Sequence, residues 1–146
     1  MFYVYKFKFI KPPDELNYDY ERFSDIDKQK LANINMNSFI DYEEDNQYAF
    51  FIIAEPIEID KYIQLLNNNL IKFEYKDISN DILKGEIDIE CELEYNEEFD
   101  YCFFIKCLNE WIYQNLDIDI VLDKISSVGM KYLTKIEKKF LKNYKI

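Results

Sequence analysis

The sequence predicts an α+β fold: a four-stranded mixed or mainly antiparallel sheet, covered on one face by helices, with a C-terminal helical hairpin. Three observations carry this reading. Apolar and polar residues alternate with period two over 2–10, 70–77 and 86–95. A continuous apolar run occupies 48–54, and apolar residues recur at helical spacing over 59–70, 98–116 and 120–141. Period two places alternate side chains on opposite faces of a strand, whereas a 3.6-residue period collects them on one helix face.

In the first strand, Tyr3, Tyr5, Phe7 and Phe9 share one face and Lys6 and Lys8 the other. Lys11-Pro12-Pro13 ends it, because proline donates nothing to a ladder. Ser24 followed by Asp27 marks a helix start, and a short helix runs on to about Ile34. Asn35–Asn46 is polar and acidic and reads as a loop. Tyr48–Ala54 reads as a strand buried on both faces, ended by Pro56. Ile59–Leu70 has a helical stripe at 59, 62, 63, 65, 66 and 70. Ile71, Phe73 and Tyr75 then alternate with Lys72, Glu74 and Lys76, and 78–85 forms a connection to the last strand. Tyr101, Phe104, Ile105, Leu108, Trp111, Ile112 and Leu116 form the buried stripe of the longest helix. Strands and helices in this order are compatible with a ferredoxin-like core.

The sharpest pattern is 86–95, where Glu86, Asp88, Glu90, Glu92 and Glu94 alternate with Ile87, Ile89, Cys91, Leu93 and Tyr95. As a strand it would present five carboxylates in one row, and like charges so placed repel. Lys72 and Lys76 are the expected counter-charges if 71–77 and 86–95 pair as a hairpin, with Lys6 and Lys8 on the other flank. The row reads either as the solvated face of a sheet or as an acidic binding face. Glu86, Asp88, Glu90, Glu92 and Glu94 are therefore the candidate binding residues.

Composition narrows the chemistry. With 146 residues, 49 % hydrophobic, the chain can bury a core of its own. Its net charge of −11 is uneven: residues 1–118 hold 11 Lys+Arg against 26 Asp+Glu, or −15, and residues 119–146 hold 7 against 3, or +4. The expected organisation is a single folding unit: an acidic α+β domain over 1–118 with a basic helical hairpin, 119–146, packed on it. An acidic body repels phosphate backbones, so direct nucleic-acid binding is disfavoured. The absence of histidine removes Ser-His and Cys-His nucleophile pairs and the commonest metal ligand. Cys91, Cys102 and Cys107 contain no C-x-x-C pair and read as reduced core residues of a cytoplasmic protein. Two glycines leave little material for a phosphate cradle, and neither acidic run matches a calcium-loop spacing. No catalytic residue, metal site or cofactor is expected. The opening residues alternate too early and carry too much charge for a signal peptide, and no apolar run approaches the roughly 18 residues of a membrane span.

Residues 120–141 read as a helical hairpin: Ile120, Val121, Leu122 and Ile125 in the first helix, Gly129 as a left-handed cap, a Thr134–Glu137 capping box, then Phe140 and Leu141. The string Leu122-Asp123-Lys124-Ile125-Ser126, Gly129, Leu133-Thr134, Glu137-Lys138-Lys139-Phe140-Leu141 resembles a short tail found in many Bacteroidota proteins, among them rhomboid-like membrane proteins. That resemblance implies a helical hairpin and a bacterial lineage, and it brings no chemistry with it.

Three functional classes stand on these residues. One is an adaptor, inhibitor or immunity-type protein whose acidic surface docks a basic partner, since opposite charge accelerates encounter. A second is a nucleic-acid mimic, because alternate residues on a strand repeat at about 6.6–6.8 Å, near the phosphate spacing; four nearby lysines count against it. The third is a carboxylate enzyme, which needs two acids converging on a cleft. The exposed edge of the sheet offers a route to a homodimer.

Overall fold

The computed structural model describes residues 1–10, 23–43, 47–89 and 99–144. The chain divides into two compact units, Met1–Ile78 and Ser79–Ile146. The boundary expected at 118/119 falls inside the second unit.

The first unit runs β1 (Tyr3–Ile10), α1 (Asp25–Ala32), β2 (Met36–Glu43), β3 (Gln47–Ala54), α2 (Pro56–Asn68) and β4 (Phe73–Asp77). The strands form one antiparallel sheet in the order β2-β3-β1-β4. This β-α-β-β-α-β connection and strand order is the ferredoxin-like arrangement. Its core lies on one face, where Tyr5, Phe7, Phe9, Ile52 and Ala54 of the sheet meet Phe23, Ile34 and, from α2, Ile59, Tyr62, Leu65 and Leu66. Phe7 is fully buried at its centre, with ring centroids 5.2 Å from Tyr62 and 5.3 Å from Tyr75, its cross-strand neighbour. Ala49, Phe51 and Ile53 alternate onto the other face and are also buried, so the middle of β3 is buried on both sides as predicted.

Caps explain where these helices begin and end. Ser24 Oγ accepts from the Asp27 N–H at 3.1 Å, starting α1 at the predicted place. Pro56 not only ends β3 but opens α2, because its missing N–H is one that a first helical turn leaves unpaired anyway. At the other end of α2 the Ile71 N–H bonds the Leu66 carbonyl at 3.0 Å and the Leu70 N–H bonds that of Asn67 at 3.1 Å. This is a Schellman cap, and Leu70 stands in its left-handed position at φ 57, where glycine is usual.

Three sequence expectations are corrected here. Asn35–Asn46 is not a loop through 36–43: those residues form β2, an edge strand whose Asn37, Ser38, Asp41 and Glu43 blur the apolar alternation. The strand predicted at 86–95 is absent over its described part, 86–89. The cause is α3 (Ser79–Leu83), a short helix within the expected connection. Gly85, at φ 76, lets the chain turn so that the Glu86 and Ile87 N–H groups both bond the Asp81 carbonyl, at 2.8 and 3.2 Å. Those donors close the helix and are lost to any ladder. Residues 90–98 lie outside the described residues, and with them Glu90, Cys91, Glu92 and Glu94. The expected hairpin of 71–77 with 86–95 is likewise not formed: among the described residues β4 pairs with β1, placing Lys76 opposite Lys6 and Glu74 opposite Lys8.

The second unit continues with α4 (Phe99–Asn115), α5 (Ile118–Val128), a 3₁₀ turn (Met130–Tyr132) and α6 (Lys135–Asn143). On α4, Tyr101, Phe104, Ile105, Leu108 and Trp111 are buried, as their spacing predicts. Cys102 is exposed and Cys107 half-buried, so neither is the core residue expected; both are reduced, with no disulfide. The predicted hairpin is present. Val121 and Leu133 are buried in a small cluster that Ile112, Ile125, Ile136, Phe140 and Leu141 pack against. Gly129 caps α5 at φ 90 and ψ 161, which is not the left-handed helical conformation but an extended positive-φ one that side chains avoid still more strongly. No helix among the described residues is long and apolar enough to cross a membrane.

Candidate functional site

The candidate acidic face keeps only two describable members. Glu86 lies in the turn after α3 and Asp88 in the irregular stretch that follows; both are exposed. They are not aligned by a strand, so the 6.6–6.8 Å repeat of a strand face does not apply to them.

The same segment borders a different feature. Gly85, Ile87, Asp88 and Ile89 line a cavity of about 620 Å³ in the second unit, walled also by α3, α4 and the C-terminal hairpin. Its apolar lining includes the buried Ile82, Ile89, Leu108 and Leu116. Asp88, Tyr132, Thr134 and Lys135 are exposed, so the lining grades from buried wall to solvent.

Of the three charged side chains that the hairpin contributes to this lining, Lys124, Lys135 and Glu137, two are paired with each other. Lys124 projects from α5, and its Nζ donates to Glu137 Oε1 at 2.7 Å. Glu137, in the first turn of α6, is 4 % exposed. Its Oε1 also accepts from the Thr134 N–H at 2.9 Å, while the Glu137 N–H donates to Thr134 Oγ1 at 3.1 Å, completing the predicted capping box. One carboxylate thus closes a helix end, neutralises a half-buried lysine and faces a cavity. A carboxylate at a helix N-terminus is also favoured by the aligned peptide dipoles.

Comparison with family models, curated proteins and solved structures returned no match.

Two other places carry chemistry. In the first unit, a groove of about 350 Å³ between α1 and α2 is lined by Lys30, Asn33, Lys61, Gln64 and Asn68 over Ile34 and Leu65. Near it, Glu58 Oε2 accepts from the Asn35 N–H at 3.1 Å and Oε1 from Lys61 Nζ at 3.1 Å. The backbone bond first, and Lys61 second, hold the Glu58 carboxyl below its ordinary range. On α4, burial pushes the Cys107 thiol up, away from the reactive thiolate. No cluster of three or more His, Cys, Asp or Glu able to hold a metal occurs among the described residues.

Sequence reasoning identified Glu137 only as a cap. Its partner Lys124 lies thirteen residues away on another helix, and only the hairpin's closure brings the two together. The cavity had no sequence signal, because its walls are the same apolar residues that read as core.

Proposed function

We propose that this chain is a non-enzymatic binding protein of the adaptor, inhibitor or immunity type, acting in the cytoplasm, whose acidic surface docks a basic partner protein. The observation that carries this reading is charge: −11 overall and −15 over residues 1–118. Glu86 and Asp88, exposed beside an apolar stretch, are the describable part of the contact surface. Complementary charge raises the association rate and makes it fall with ionic strength.

The test begins with capture of partners from the native host, released by a salt gradient. A basic protein recovered at moderate salt is then titrated against the wild-type chain and against the Glu86→Lys/Asp88→Lys double variant. A control variant, Asp25→Lys/Asp60→Lys, carries the same change in net charge on the first unit. Weakening confined to the first variant supports docking at 86–88. Equal weakening of both moves the contact to the general field of the protein, and unchanged affinity in both overturns the charge-based reading. Competition by DNA for a captured nucleic-acid-binding partner distinguishes mimicry of phosphates from ordinary charge docking.

A further inference from the structure

We infer that the cavity of the second unit is a binding site for a largely apolar small molecule that carries a hydrogen-bond donor. A volume of about 620 Å³ lies within the range of small-molecule pockets, about 300–1,000 Å³, which are mostly apolar with a few placed polar groups. Apolar side chains from α3, α4 and the segment after Gly85 supply the walls. Asp88, Asn109, Lys124, Thr134 and Lys135 also belong to the lining, and the polar side chain most deeply buried in it is the carboxylate of Glu137.

That carboxylate is half used. Both hydrogen bonds that reach it, from Lys124 Nζ and from the Thr134 N–H, land on Oε1. Oε2 receives none from any described residue, although the side chain is only 6 % exposed. An ionised carboxylate accepts on both oxygens, and no buried side-chain polar atom of the described residues lacks a partner, so Oε2 is not sealed off but open to water or to a ligand's donor. Lys124 cancels the charge of Glu137, so the site has no strong preference for a cation. A neutral donor is the fitting complement: a hydroxyl or amide N–H on Oε2, with an apolar body against Ile82, Leu108 and Ile112. The capping box and the ion pair hold the carboxylate in place beforehand, which lowers the ordering cost of binding.

This inference is independent of the acidic-surface reading, since it uses neither Glu86 nor a protein partner. The probes are 4-phenylphenol, an apolar body with one hydroxyl donor, and 4-methoxybiphenyl, the same body with the donor blocked. Binding is followed by amide chemical shifts of the full chain in a heteronuclear NMR titration. The expected result is saturable shifts confined to residues 82–89, 108–116 and 132–137. A charge-assisted hydrogen bond predicts that the phenol binds about tenfold or more tightly than its ether. An Ile112→Trp variant, which fills the cavity from α4, should abolish the response while leaving the remaining spectrum in place. Equal affinity of the two probes overturns the role of Glu137. Absence of saturable shifts with either probe, or shifts located elsewhere, overturns the site. Should Ile112→Trp fail to fold, the probe pair on the unaltered chain still decides.

Discussion

Lys124 Nζ lies 2.7 Å from Glu137 Oε1, and the same oxygen holds the Thr134 N–H that opens α6. An ion pair and a helix cap therefore share one atom. Removing the carboxylate breaks both and leaves a half-buried lysine without its counter-charge. Glu137→Ala should cost about 2–4 kcal/mol, more than the roughly 1 kcal/mol of Thr134→Ala, which loses only a cap bond. Glu137→Gln should fall between, since glutamine still reaches the Thr134 N–H. Urea denaturation of the three variants checks the ranking; equal losses would mean that Lys124 gains nothing from the pair.

Leu70 is 85 % exposed and left-handed, so it gains little from burial and carries the strain of a side chain at positive φ. That strain is worth about 1–2 kcal/mol, of which glycine's greater freedom in the unfolded chain returns part. Leu70→Gly should raise stability by about 0.5–1 kcal/mol, and Leu70→Val should lower it. Chemical denaturation midpoints at constant slope are the readout.

Glu58 joins the first turn of α2 to the residue before β2. Its folded pKa is depressed, so its contribution is present above the ordinary carboxylate pKa and disappears as the pH falls below it. The difference in stability between the wild type and Glu58→Gln should therefore be largest near neutral pH and shrink through the acid limb. Thermal unfolding from pH 7 to pH 3 measures it, and a constant difference would contradict the assignment.

Tyr62 shows the opposite limb. Burial against Phe7 and Phe50 pushes its phenol above the ordinary value of 10. The unfolded chain ionises first, so stability is intact below about pH 10 and declines above it, by up to about 1.4 kcal/mol per pH unit. Tyr62→Phe should remove that share of the alkaline loss. The check is the difference between the two denaturation curves from pH 8 to pH 11, which should widen in favour of the variant.

Some elements were legible because local interactions decide them. Ser24 and the Thr134–Glu137 pair are capping residues within three positions of the groups they satisfy, and both caps formed as read. The alternation of β1 and the 3.6-residue stripe of α4 each commit one face to burial, whatever covers it. Residues 86–95 show the limit of such patterns. Their alternation suits a strand as well as any segment of the chain, yet α3 and Gly85 take the first two N–H donors before a ladder could use them. In β2 the reverse occurred: four polar residues in eight look like a loop, but pairing with the apolar β3 satisfies the backbone and makes them an edge.

By itself, then, the sequence determined the α+β class, the acidic charge, most helix ends and the aromatic face of the sheet, because each follows from composition or from contacts a few residues apart. Only the tertiary structure decided the order β2-β3-β1-β4, the pairing of β4 with β1, the meeting of Lys124 with Glu137 and the cavity beside them. Those depend on side chains and strand edges far apart in sequence, whose encounter is set by how the whole backbone satisfies its hydrogen bonds while burying its apolar faces.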